Sequence, residues 1–412
     1  MINRPLYMNQ LCSLKDKHII KIITGVRRSG KSTLLAMMQT KLLENDVAKE
    51  QIISINLENP DYTDLLDWKK LYDYVNIRLI PDRKNYVFLD EIQNVDDFQR
   101  AADGLFIKDN VDLYLTGSNS RKKAGEWATM LSGRYVEISI LPLSFKEYIS
   151  AVGTDNLQQK FRNYLENSSF PQALEFDNKD DIRKYLTGIY NTILVKDVAE
   201  SLKIRHIGRL ERILKFLADN IGKETSPSSI SKAMKADGVK INERTVESYI
   251  EALCDSHIFY RTDRYDVKGR KLLKTLSKYY IVDVGLRYLL LGDRHIDTGR
   301  MIENIVYLEL LRRNRKVYIG KINTVKRTDK DTKEEIVIKE IDFVVESKNG
   351  TEYYQVAETV MGQTTLAREL APLNAVKDHN PKFLLTMDYM PQNSHNGIKQ
   401  INILDWLLDE TN

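Results

Sequence analysis

Gly25-Val26-Arg27-Arg28-Ser29-Gly30-Lys31-Ser32 stands between an apolar, β-branched run at 19–24 and a helical pattern at 33–43. The octet satisfies GxxxxGK[ST] at every fixed position, in the strand-then-helix context that gives the spacing its meaning. Two glycines let the backbone curl so that successive N–H groups converge, and the positive end of the following helix faces the same point. Such a loop is an anion cradle. Residues Gly25 through Thr33 would wrap a chain of phosphates, with Lys31 as a point charge on the outer ones and the Ser32 hydroxyl at a corner of a Mg²⁺ shell. Arg27 and Arg28 either reach phosphate or stand solvated on the loop.

Further apolar runs at 52–57, 86–90, 111–116 and 135–140 alternate with helical stretches, as expected of parallel strands buried on both faces. Tyr86-Val87-Phe88-Leu89-Asp90-Glu91 puts two carboxylates at the end of one of them. Asp90 would hold Mg²⁺ through water, and Glu91 would orient or deprotonate an attacking water. The run Leu113-Tyr114-Leu115-Thr116 ends in Gly117-Ser118-Asn119. Ser118 or Asn119 would sense the outermost phosphate from the sheet edge where parallel strands bind ligands, unless the stretch is a plain polar turn. In Leu131-Ser132-Gly133-Arg134-Tyr135, Arg134 opens the fifth strand. It would stabilise developing charge, within the subunit or across to a neighbour, or else make a structural ion pair.

At 412 residues the chain is long enough for two or three domains. Apolar residues at 42% and charged residues at 29% exclude a disordered or fibrous chain. The net charge is only +4, so attraction to nucleic acid would have to be local. Cys12 and Cys254 form no CxxC pair and the histidines form no HExxH, which removes zinc and secreted-disulfide readings. No apolar run spans a bilayer, and Met1-Ile2-Asn3-Arg4-Pro5 leads into polar residues without a signal core. A cytoplasmic protein without membrane insertion is expected.

After residue 150 the spacing turns helical to about 257, broken by a Ser/Thr/Gly-rich connection at 222–229. Helices are expected at 228–234 and 242–254, the second with Asn242 as N-cap. Beyond them Arg264, Lys268, Arg270, Lys271, Lys274 and Lys278 gather against Asp266 alone. A hairpin with its tip at 266–270 could follow a DNA backbone; the alternative is a packing module with solvated lysines. From 299, a helix at 301–313 gives way to strand runs at 316–319, 341–346 and 353–356, which suggests a third, small α/β unit. The expected domains are 1–150, 151–298 and 299–412.

The octet, residues 87–92, 115–119, 131–135 and 141–145, and the Glu303 and Asp342 stretches together resemble the AAA-type P-loop ATPases of bacteria and archaea that carry a C-terminal domain of unknown function. The resemblance spans most of the chain. It implies an α/β fold: a P-loop NTPase parallel sheet with ATP and Mg²⁺ as ligands, a helical middle region with a winged-helix-like element, and a small C-terminal domain similar to restriction-endonuclease-like nucleases. In that last domain Glu303, Asp342 and Gln355 match the nuclease order of Asp followed by Glu/Gln-x-Lys, but Ala357 stands where the lysine belongs. Without that cation, water activation is impaired and the site reads as silent, with Glu358 or Lys348 as the only local substitutes. Hydrolysis of MgATP driving a conformational switch is the leading expectation. A nucleotide-regulated DNA-binding protein with little turnover and a metal-dependent nuclease are the alternatives. The physical partner, DNA or protein, and the oligomeric state stay open.

Overall fold

A computed structural model describes residues 2–117, 131, 133–199, 202–204, 207–292, 297–327, 334–347, 350–389 and 393–409, with side chains for all of these except 196, 274, 275, 325–327, 334–336 and 393. The chain begins α1 (Pro5–Leu14), β1 (Ile20–Thr24), α2 (Lys31–Glu44), β2 (Ile52–Asn56), α3 (Trp68–Arg78), β3 (Asn85–Asp90), α4 (Phe98–Phe106), β4 (Val111–Thr116) and β5 (Tyr135–Ser139). The five strands form one parallel sheet in the order β2-β3-β4-β1-β5. β1, β3 and β4 are buried at every residue because helices cover both faces. Leu34, Leu35, Met38 and Leu42 of α2 join Tyr7 and Leu11 of α1 on one face. Leu71, Val75, Phe98 and Leu105 of α3 and α4 cover the other. The P-loop NTPase fold expected from the sequence is thus present, and all five strands end at one edge, where open parallel sheets take their ligands.

The middle of the chain is helical: α5 (Phe145–Val152), α6 (Leu157–Glu166), α7 (Lys179–Thr192) running into a π-helical stretch (Ile193–Ala199), α8 (Ile207–Asp219), α9 (Pro227–Ala236) and α10 (Glu243–Asp255). Asn242 caps α10, its side chain accepting the Thr245 N–H at 2.8 Å. An antiparallel hairpin of β6 (Phe259–Asp266) and β7 (Lys271–Ile281) follows, then α11 (Val284–Leu291) and α12 (Thr298–Arg312). The rest comprises β8 (Lys316–Arg327), β9 (Glu334–Ser347), β10 (Gly350–Ala357), α13 (Gln363–Ala375), β11 (Lys382–Thr386), β12 (Asn393–His395), β13 (Ile398–Asn402) and α14 (Ile403–Leu408).

The strands on either side of residue 298 belong to one sheet. The sheet order is β12-β13-β11-β10-β9-β8-β6-β7, so the hairpin before residue 298 and the strands after it share one eight-stranded sheet. Parallel pairing of Arg264 with Ile319 and Tyr265 with Gly320 makes the join. One apolar core runs through both regions, from Phe145 and Leu214 to Tyr280, Phe343 and Trp406. No helix among the described residues is long and apolar enough to cross a membrane.

Candidate active site

β1 delivers the chain to Gly25, where φ is +141°. A Cβ there would lie 2.2 Å from the Ile140 carbonyl oxygen, so any side chain would collide with the strand exit beside it. Gly30, at φ +99°, then opens α2 with Lys31 and Ser32 in its first turn. The curl expected from the two glycines therefore has a steric cause at Gly25 and a conformational one at Gly30.

Lys31 is buried, and its Nζ donates to the carbonyl oxygens of Gly25 at 3.1 Å and Val26 at 3.4 Å, 3.8 Å from Glu91 Oε1. Asp90 and Glu91 at the end of β3 are buried, 7% exposed each. Thr116, the last residue of β4, organises both. Its hydroxyl donates to Asp90 Oδ1 and accepts the Glu91 N–H at 2.8 Å. Glu91 itself has a left-handed backbone, φ 54°, unusual for a non-glycine and of the kind that re-aims a side chain at a functional edge. Gln93 donates its amide to Glu91 Oε2.

Gly30, Lys31, Ser32 and Glu91 line a cleft of ≈ 1630 Å³, whose far wall carries Pro171, Tyr185 and Asp197 from the helical region. Arg27 spans it. Its Nε donates to Asp197 Oδ1 and Oδ2 at 3.0 and 3.1 Å, and its Nη1 to Glu58 Oε1 at 3.1 Å. Burial alone would lower the Arg27 pKa; the Asp197 charge and hydrogen bond, with the Glu58 hydrogen bond, outweigh it and hold the guanidinium above its ordinary value. Arg28, with φ 65°, is exposed at the cleft. A magnesium triphosphate fits this donor set: a concave loop that only glycine permits, a buried Ser29 hydroxyl without a partner, and carboxylates beside an ammonium.

Strand direction separates the readings of Arg134. It precedes β5 at the opposite edge, where its carbonyl accepts the Ile20 N–H, and its guanidinium lies 3.8 Å from Asp103 and 5.7 Å from the Phe106 ring centroid. The length of β5 sets it about 13 Å or more from the cradle of its own subunit. Ser118 and Asn119 lie outside the described residues.

The basic hairpin is partly consumed by the fold. Arg264 is 3.4 Å from Glu224, and Lys268 Nζ donates to the Asn323 carbonyl. Arg270 and Lys271 are exposed at the tip; the Lys274 side chain is not among those described. The exposed residues of α10 include Glu243, Glu247 and Glu251 against Arg244, a poor match to a phosphate backbone.

Glu303, Asp342 and Gln355 do come together, with an addition that the sequence did not signal. Gln355 Oε1 accepts the Asp342 N–H at 3.4 Å, and Asp342 Oδ2 accepts the Val356 N–H at 2.8 Å. Lys278 of β7 inserts its ammonium 3.1 Å from Glu303 and 2.8 Å from Glu340, and Tyr280 donates to Glu303 at 2.7 Å. Burial opposes the charge on Lys278, but Glu303 and Glu340 outweigh it and raise its pKa. Asp342, buried and beside Glu303, is pushed well above the usual carboxylate range. No group of three His, Cys, Asp or Glu side chains placed to hold a metal ion occurs among the described residues. Glu358 is exposed beyond the strand end and Lys348 lies outside the described residues.

The residues that sequence reasoning missed are Thr116, Asp197, Lys278 and Arg4, whose guanidinium also lines the cleft. Only Thr116 carried a signal, as a hydroxyl ending an apolar strand beside the acidic one.

Comparison with known proteins identifies the family of the chain. Residues 17–149 match the AAA domain family and residues 158–296 match a domain of unknown function, DUF8612. An uncharacterized protein of Haemophilus influenzae is 35% identical over 415 residues, covering 99% of each chain. An uncharacterized protein of Methanocaldococcus jannaschii is 28% identical over 310 residues, covering 71% of this chain and 67% of that one. Among solved structures, a Walker-type ATPase of Pyrococcus abyssi aligns over 70% of this chain and 96% of its own with 16% identity and a TM-score of 0.47. The chain therefore belongs to the family of the Haemophilus influenzae protein, a P-loop ATPase family with an AAA domain at residues 17–149.

Proposed function

We propose that the chain binds MgATP in the cradle and hydrolyses it, and that the triphosphate changes the pose of the helical region and the eight-stranded sheet. One observation carries the reading: Arg27, inside the phosphate loop, is ion-paired across the cleft with Asp197. A phosphate chain in the loop competes for that guanidinium. A ligand shifts a conformational equilibrium only through such a differential contact.

Ser32 and Asp90 would hold Mg²⁺, which when bound offsets charge on the phosphate oxygens. Lys31 attracts the outer phosphates. Glu91, steadied by Gln93, orients the attacking water and takes its proton. Ser118 and Asn119, which follow β4, are assigned as sensors of the outermost phosphate on sequence grounds. The preference for ATP comes from the AAA family match. We assign 1–150 to the ATPase unit, 151–298 to a region with a winged-helix-like element, and 299–412 to a nuclease-like fold silent for cleavage. The order of α8, α9, α10 and the hairpin supports the second assignment, and Lys278 in the acidic centre supports the third. DNA contact would fall on Arg270 and Lys271 and stays a second reading.

The test is nucleotide binding and turnover in two variants. Lys31→Ala should lose nucleotide binding; Glu91→Gln should bind and turn over about 10²- to 10⁴-fold more slowly. Unchanged turnover in both would end the proposal.

A further inference from the structure

Arg4 is 5% exposed, and its donors go to the borders of the cradle. Nη1 donates to the Ser29 carbonyl at 3.0 Å, Nη2 to the Leu141 carbonyl at 2.7 Å and more weakly to that of Pro142 at 3.5 Å, and Nε to Glu147 Oε1 at 2.9 Å. Glu147 is fixed in turn by the capping box that starts α5: its Oε2 accepts the Ser144 N–H at 2.8 Å, and its own N–H donates to Ser144 Oγ at 3.0 Å. The Tyr7 ring lies 4.8 Å from the guanidinium, and its hydroxyl accepts the Leu141 N–H at 3.1 Å. A buried guanidinium is costly unless its donors are satisfied. Here three separate segments of chain converge to satisfy it.

The Ser29 contact has a geometric consequence. Peptide bonds are planar, and the described chain has no cis peptide, so the Ser29 carbonyl and the Gly30 N–H point in opposite directions. Gly30 sits at φ +99°, where glycine lacks the side-chain sterics that would otherwise restrict the peptide plane. Its orientation must be set by a partner, and Arg4 supplies one.

We infer that Arg4 is a positioning residue for the phosphate cradle: by anchoring the Ser29 carbonyl it fixes the Ser29–Gly30 peptide and aims the Gly30 N–H at phosphate, without itself serving the reaction. The inference rests on the nucleotide reading above and deepens it. Lysine at position 4 keeps the charge but cannot span Ser29, Leu141 and Glu147 together, because an ammonium lacks the planar fork.

The experiment is calorimetric titration of the full chain with MgADP, which reads affinity and the fraction of competent protein separately. For Arg4→Lys, Kd should rise about tenfold or more, the value of one charge-assisted hydrogen bond to phosphate, with stoichiometry unchanged. Arg4→Ala should show the same loss, and added methylguanidine should recover part of it. A merely structural arginine would lower the stoichiometry and leave Kd alone. An unchanged Kd in Arg4→Lys therefore overturns the inference while the parent chain's binding upholds the nucleotide reading. A parent chain that gives no heat with MgADP overturns both.

Discussion

Replacing Asp197 by asparagine should tighten nucleotide binding, an unusual outcome for removal of a cleft carboxylate. The Asp197 side chain is 3% exposed and Arg27 20%, with Nε at 3.0 and 3.1 Å from the two carboxylate oxygens. Two unit charges about 4 Å apart at an effective dielectric near 20 attract by about 4 kcal/mol. Desolvation offsets most of this, and a hydrogen bond to a charged partner nets about 1.5–3 kcal/mol. A triphosphate that recruits Arg27 must overcome that contact. Asparagine keeps a hydrogen-bond acceptor but not the charge, so about 1–2 kcal/mol of the opposition should vanish, or about 5- to 30-fold in Kd. Glu58 still pairs with Arg27, so no orphan charge is created. The assay pairs calorimetry of a slowly hydrolysed MgATP analogue with amide hydrogen exchange over 193–199. In the parent chain the triphosphate should lower protection of that stretch; in Asp197→Asn protection should no longer respond. Parent-like affinity in the variant, with exchange at 193–199 indifferent to nucleotide in the parent, would mean that the pair is a static strut and that the proposed switch has no handle.

Two further substitutions test the buried charge of the fold. Lys21 and Asp112 are wholly buried partners, and Asp112 Oδ2 also accepts the Tyr114 hydroxyl at 2.9 Å and the Asp16 N–H at 3.0 Å. Asp112→Ala should cost about 3–5 kcal/mol in urea unfolding, whereas replacing both partners with apolar residues should recover most of it. Lys278→Met removes the cation shared by Glu303, Glu340 and Asp342, leaving Lys321 on Glu340 alone. Carboxylates so crowded take up protons more readily folded than unfolded, so the deficit in thermal stability against the parent should shrink as pH falls from about 7 to 5. A pH-independent deficit would show that Lys278 acts by packing alone. The parent should show no Mg²⁺-dependent DNA cleavage.

The five-stranded sheet was legible because a strand buried on both faces must be mostly apolar, and 86–90 and 111–116 are, save Asp90 and Thr116 at their ends and Asp112, whose charge Lys21 meets. The cradle was legible because its chemistry is local: eight consecutive residues contain the whole curl. Long-range chemistry left no such trace. Arg4, Asp197 and Lys278 are single polar residues whose partners lie far off in sequence, at Ser29, Arg27 and Glu303. At Arg134 strand direction removes one reading, the cradle of its own subunit, since the start of the fifth parallel strand must lie at the opposite edge, and leaves the ion pair or a neighbouring subunit. The sheet that crosses residue 298 was not legible because helical spacing reports a helix but not its neighbours. Pairing of Arg264 with Ile319 joins segments that no sequence window contains.

Two buried arginines, Arg4 and Arg312, constrain how the cleft can move. Arg4 and Arg312 both end on one short strap, Arg4 on the carbonyls of Leu141 and Pro142 and Arg312 on that of Pro142 at 3.0 Å. Arg312 is held by Glu309 on its own helix, so the strap is gripped from α12 as well as from the N-terminal segment. Sliding it would break at least two charge-assisted bonds of about 1.5–3 kcal/mol each. The opposite wall is built from exchangeable contacts, because Arg27 can trade the carboxylates of Asp197 and Glu58 for phosphate oxygens at little net loss. A cleft with one wall clamped by carbonyls and the other held by carboxylates moves on the second. Nucleotide-driven motion should therefore enter the rest of the molecule through the π-helical stretch at Ile193–Ala199 and not through the strap.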